Sequence, residues 1–363
     1  MIQRNKTLEN NKIPEKVPLQ FEIQQDHQFD LILSKNRSTP QKNHFLAIFL
    51  GIQSALAFGI HNYIVTYAIR MRQHSSSIVY CEFLTFLIQP FLLHVYLAFR
   101  SFRKHGKIWI PQESQIVDKQ TNKLKYICLF CVVIRGMISV WLNINIGIIA
   151  YYSKMADISP SVILSTVSLA SFTTALAFFI FYKEKLSIQH LIGMGLILLC
   201  VVLISISKSF STQIALIEDP ISVLIPLFFA MLSCLTLTTS TLIIRKSQEH
   251  GYHILRFSLD QQIAAGVLFL GLFIYSWNTM EPYTWPQMIL IQIAVLSITV
   301  AIISFNFAIQ FGKGGIIMSM SQLQNLFQLI FEFMIEGRVP NYFEIMAITC
   351  ALVGSITIGL AQK

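Results

Sequence analysis

Phe181-Tyr-Lys-Glu-Lys-Leu-Ser-Ile-Gln-His-Leu-Ile-Gly-Met-Gly-Leu-Ile-Leu-Leu and Ile335-Glu-Gly-Arg-Val-Pro-Asn-Tyr-Phe-Glu-Ile-Met-Ala-Ile-Thr-Cys-Ala-Leu-Val-Gly are the two stretches on which the reading of this chain turns. In each, a long apolar run ends in a short charged turn led by a glutamate, Glu184 or Glu336, and a second apolar run follows. Five apolar segments separate one copy from the next, so the chain reads as a duplicated membrane protein, an arrangement that points to transport.

Composition agrees. Of 363 residues, 54% are hydrophobic and only 12% charged, more apolar surface than a water-soluble domain can hide. Apolar stretches long enough to cross a bilayer, about 20 residues each, lie at 44–69, 78–99, 125–150, 158–182 and 188–207, then at 220–244, 253–277, 285–311, 315–335 and 341–361. The fold class expected is therefore an all-α polytopic membrane protein of ten helices, in two five-helix repeats at 44–207 and 220–361 joined by a loop at 208–219. Residues 1–43 are polar and read as a disordered cytosolic tail. The tail has no short apolar region with a cleavage site, so it is not read as a signal peptide.

Charge sets the direction. With the N-terminus cytosolic, the tail, the even-numbered loops and the C-terminus carry 20 Lys and Arg, against five on the other side, a positive-inside bias that puts both termini in the cytosol. The net charge of +9 is then a matter of membrane orientation. Without an aromatic and basic recognition surface, nucleic acid is not expected as a partner. An odd number of spans per repeat inverts the second half relative to the first, which places a solute site near the midplane. The six cysteines fall within or at the edges of apolar segments, so the Cys128-x-x-Cys131 pair reads as core rather than as a metal site.

The residues that carry chemistry are the polar ones at depth. Ser321, Gln322, Gln324, Asn325, Gln328 and Glu332 share one face of the ninth span, where they either glue helices together or line a water-filled cavity. Arg135 falls near the centre of the third span, with Ser139 and Asn143 on its face. It either contacts a solute anion or pairs with Glu82 or Glu332. Arg256 and Asp260, four residues apart, form a local ion pair or a cytosolic gate or proton site, and Glu82 is open in the same way. Gly312-Lys-Gly-Gly315 reads as a tight turn, with Lys313 as an outlying anion ligand if it faces the solute. Gly51, Ala55 and Gly59, like Ser161 and Ser165, are spaced for close helix packing. Pro90 and Pro226 fall within spans and bend them.

Residues 148–204, from Ile-Ile-Ala-Tyr-Tyr-Ser-Lys-Met-Ala-Asp-Ile-Ser-Pro-Ser through the Glu-Lys-Leu-Ser hairpin, resemble an EamA repeat of the drug/metabolite transporter superfamily. The stretch from Asn306 to Gly359 resembles the second repeat. The resemblance implies transport of amino acids, sugar phosphates, nucleotide sugars, drugs or vitamins. In the small multidrug branch a glutamate in the first helix exchanges protons, whereas this first helix offers Gln53, His61 and Asn62.

The function expected is a secondary transporter of a small polar or anionic organic metabolite, working by alternating access around Arg135, Asn143, Asn325, Gln328 and Glu332, with Lys313 outlying. Glu82 and Asp260 are the proton-coupling candidates. One alternative is a proton-coupled exporter of cationic compounds using Glu332, Glu82 or Asp260. Another is a receptor or scaffold without transport. Enzymatic activity and cofactors are not expected, since neither an ATP-binding motif nor a nucleophile and base constellation stands out. The partners are a small-molecule solute and the lipid bilayer, and a homodimer is compatible with both. The Ala-Gln-Lys C-terminus carries no retrieval signal, so plasma and internal membranes both fit.

Overall fold

The computed structural model describes residues 44–71, 76–110, 114–118, 123–155, 167–211, 220–280, 282–337 and 342–360. The expected tail, the loop 208–219 in most of its length, and Ser161 and Ser165 lie outside them.

The described residues are almost entirely helical. They comprise α1 (His44–Met71), α2 (Phe83–His105) after a 3-10 helix (Ser76–Glu82), α3 (Tyr126–Met155), α4 (Ala170–Tyr182), α5 (Ile188–Ser211), α6 (Pro220–Glu249), α7 (Ile254–Thr279), α8 (Trp285–Phe311), α9 (Gly314–Ser321), α10 (Gln324–Glu336) and α11 (Tyr342–Leu360). Six of them, α1, α2, α3, α6, α7 and α8, are long and apolar enough to cross a membrane, and α4, α5 and α11 hold shorter apolar stretches. Phe91, Phe130, Leu235, Ile289, Leu296 and Leu352 stand exposed on the outside, where only lipid makes such a surface stable. The protein is an integral membrane protein.

Helices pair in long contacts: α1 with α8, α5 with α11, α3 with α6, and α2 with α7. The small residues of α1 allow a close approach to α9 and α10. A Cβ built on Gly51 would lie 3.1 Å from Met320 Cβ, and one on Gly59 only 2.7 Å from Phe327 Cβ. Pro90 and Pro226 sit inside α2 and α6, both of which continue through them. The expected ninth span is not one rod. A turn at Gln322–Leu323 divides it into α9 and α10, although neither glycine nor proline stands there. Apolar clusters fill the interior around this break. One gathers Met194, Ile197, Ile316, Met320, Leu326 and Ala347, and another Phe257, Phe305, Ile309 and Ile317. Together they leave a space between α1, α3, α6, α8, α9 and α10 that polar side chains enter.

Candidate functional site

That space is a cavity of about 1300 Å³ counted out to its mouth. Phe58, Phe86, Ile298, Ile302 and Phe305 supply its apolar wall, and Asn62, Asn143, Gln322, Gln324, Asn325 and Gln328 a carboxamide wall. A largely apolar cleft with a few convergent polar groups is the usual form of a small-molecule site.

Arg135 is the cation in its lining and is 6% exposed. It stands nearly halfway along the apolar stretch Tyr126–Ile149 of α3. The adjoining Gly136 fixes that position, because a Cβ there would meet both Gln261 O and Ala264 Cβ of α7 at 2.6 Å. A helical ladder then orients the guanidinium. Arg135 Nη1 donates to Ser139 Oγ (2.9 Å), Ser139 Oγ donates to Arg135 O (3.1 Å), and Asn143 Nδ2 donates to Ser139 O (3.0 Å). The three residues meet as their i, i+4, i+8 spacing predicts. Arg135 Nε is buried without a hydrogen-bond partner among the described residues. The carboxylates weighed as its partners are engaged elsewhere: Glu82 Oε1 lies 3.2 Å from His61 Nε2, and Glu332 Oε1 accepts from Gln328 Nε2 (3.1 Å).

The other residues singled out divide by place. Asn143, Asn325 and Gln328 line the cavity with Arg135, and Glu332 lies buried behind Gln328. The turn at Gln322–Leu323 leaves the polar face intact, since Ser321 and Gln322 on one side and Gln324, Asn325 and Gln328 on the other all reach the lining.

Lys313 stands apart from the lining, where its Nζ donates to the Lys185 carbonyl (2.8 Å). It belongs to a clasp around Glu184. Arg245 Nη2 donates to Glu184 Oε1 (2.6 Å) and to Gly312 O (3.0 Å), and Gly314 N–H donates to Glu184 Oε2 (2.9 Å). The Arg245 guanidinium also rests over the Phe178 and Tyr182 rings, 5.6 and 5.9 Å from their centroids.

Asp260 faces a second pocket at the start of α7, with Arg256 in the same lining. Its Oδ1 lies 2.8 Å from His94 Nε2, and its Oδ2 accepts from Tyr252 OH (2.6 Å). Burial first, then the Asp260 carboxylate, pushes the Tyr252 hydroxyl well above the ordinary phenol range, so it stays a donor.

Comparison with known proteins fits this architecture. The pattern of the EamA-like transporter family matches residues 224–360. Those residues are an EamA-like transporter domain. This places the domain in the drug/metabolite transporter superfamily, whose business is moving small solutes across membranes. The EamA-like match takes in the expected second repeat from Asn306 to Gly359 and reaches back through most of α6, but does not extend over residues 148–204. No curated protein matches the sequence. A crystal structure of another protein superposes with a TM-score of 0.61 over 87% of this chain and 97% of its own, at 11% identity, a likeness of fold alone. Within the EamA-like domain lie Ser233, Ser240 and the carboxamides of Gln322, Gln324, Asn325 and Gln328, while Arg135 and His61 enter the cavity from outside it.

His61 was noticed in the sequence only as a polar residue of the first span. Its contact with Glu82 joins two elements, and spacing along one helix carries no trace of it.

Proposed function

We propose that this protein is a secondary transporter that carries a small polar or anionic organic solute by alternating access. The observation that carries the reading is Arg135, a buried guanidinium at mid-depth that lines a cavity and, among the described residues, has Ser139 as its side-chain partner. A charge held there without a counter-ion is costly, and a solute anion would offset it. Asn143, Asn325 and Gln328 would hold the solute's polar groups, with Glu332 fixing Gln328. The aromatic and aliphatic wall would take its carbon frame.

Ten spans in two inverted halves, 44–207 and 220–361, complete the reading. In support, α1 on α8 and α6 on α3 are the same contact under an exchange of halves, and α2 on α7 and α5 on α11 are each their own counterpart. Helices α4 and α10 are each 13 residues long, and both end in a left-handed residue, Lys183 or Gly337. Inverted halves of this kind rock about a fixed central site. The anionic reading is favoured over export of cations because Glu82, Glu332 and Asp260 each hold a neighbour already.

The test is uptake by proteoliposomes offered matched anionic, neutral and cationic metabolites. Anionic solutes are expected to enter, and Arg135→Gln to lower their entry by about tenfold or more. Uptake of cations alone, indifferent to Arg135→Gln, would sink the proposal.

A further inference from the structure

One pair of titratable groups in the cavity wall has no part in holding the solute. His61 lines the cavity from α1, and Glu82 stands behind it at the start of α2. Their side chains are 3% and 0% exposed, and His61 Nε2 lies 3.2 Å from Glu82 Oε1. The other ring nitrogen, Nδ1, lies 3.3 Å from Asn62 Oδ1. Glu82 Oε2 has no hydrogen-bond partner among the described residues. An imidazole with an oxygen at each nitrogen is best served as imidazolium, donating to both. A carboxylate buried this deeply needs a positive neighbour. The pair is therefore complete with one proton shared between its members, when its net charge is zero. Without that proton it carries one negative charge.

We propose that His61 and Glu82 form the proton-binding site that couples this cavity to a proton gradient, so that a proton and an anion bind together. The inference rests on the reading of Arg135 as an anion site. With the proton on the pair, Arg135 leaves the cavity positive, and an anion binds. When the proton departs, the negative pair offsets the guanidinium, and the anion is released. One proton and one anion travel together, and no bond other than N–H or O–H is made or broken.

The charged and titratable groups around the pair leave room for this switch. Arg135 faces it from α3 across the cavity, Glu332 lies on α10 behind Gln328, and Tyr80 and Cys81 flank Glu82 on its own 3-10 helix, with Tyr63 further along α1. Helix α8 meets this helix through Gln292, whose Nε2 donates to Cys81 O (2.8 Å), and α7 through Phe269. Neither adds a charge that would hold the pair in one state.

The experiment uses the purified full chain and two probes of fixed charge, sulfate and benzenesulfonate, with thermal midpoints read at about pH 5.5 and about pH 7.5, on either side of the ordinary histidine range. In the native protein the probes are expected to stabilise at about tenfold or more lower concentration at the acid pH, since anion and proton raise each other's affinity by the same factor. In the double variant His61→Gln with Glu82→Gln, where neither member can take up a proton, the two pH values should give equal probe affinity. Proton uptake on adding probe to weakly buffered native protein near pH 7 supplies a reading that needs no variant. It should be clearly positive, and absent in Arg135→Gln. Stabilisation that is the same at both pH values, with no proton uptake, would overturn the coupling and leave the anion site standing. No stabilisation of folded protein by either probe at either pH would remove the anion site and the coupling with it.

Discussion

Two of the arginines in this helix bundle, Arg245 and Arg135, are treated in opposite ways. Arg245, at the end of α6, has a carboxylate, a carbonyl and two aromatic faces around its guanidinium. Arg135, in the middle of α3, has one serine hydroxyl and a cavity. A half-buried charge given that many partners holds its neighbours together. One given almost none is kept at a cost to stability and waits for a ligand. Under the proposed function the contrast separates a structural arginine from one that faces solute, and it assigns the recurring hairpin around Glu184 to the first class.

The sharpest way to break this comparison is to remove each cation in turn. Arg245→Leu strands the Glu184 carboxylate, and is expected to cost about 3 kcal/mol, read as a lower thermal midpoint in detergent. Exchanging the pair, Glu184→Arg with Arg245→Glu, should recover only part of the loss, because Gly314 N–H would still lack its acceptor. For Arg135→Leu the sign is reversed. The midpoint should hold or rise, by about 1 kcal/mol, while uptake of anionic solute falls by about 10- to 100-fold, the worth of a charge-assisted hydrogen bond or two. Equal destabilisation by the two leucine variants would show that both arginines are structural.

Smaller effects sharpen the same contrast. Gly136→Val forces a side chain against α7 beside Arg135. It should cost about 1–3 kcal/mol by overpacking and lower uptake as well, since it shifts the guanidinium. Tyr252→Phe removes the donor to Asp260, and neither residue is in the cavity lining. A loss of about 1 kcal/mol with unchanged uptake is expected, and a large transport defect would bring the second pocket into the mechanism.

Much of this was written in single helices. Arg135, Ser139 and Asn143 are legible because a helix puts residues four apart side by side, and the ladder between them is purely local. The carboxamide face from Gln322 to Gln328 is legible for the same reason. Its interruption at Gln322–Leu323 is not, because no residue there breaks a helix; the helices on either side of it pack against α4 and α1. Contacts between distant segments also escape a periodic pattern. His61 meets Glu82, and Glu184 meets Arg245 and Gly314, through the fold alone. The six long apolar helices were the easiest feature to read, and the shorter apolar helices α4, α5 and α11 fall within stretches that the sequence also marks as apolar.

The turn in the carboxamide wall has a mechanical consequence. Helix α9 is fastened at its start to the Glu184 clasp, whereas α10 is keyed to α1 at Gly59. The wall is thus made in two parts that meet at Gln322–Leu323, with Gln322 in the cavity lining. A molecule that bridges Gln322 and Asn325 grips both parts at once, and so feels the position of each end of the bundle.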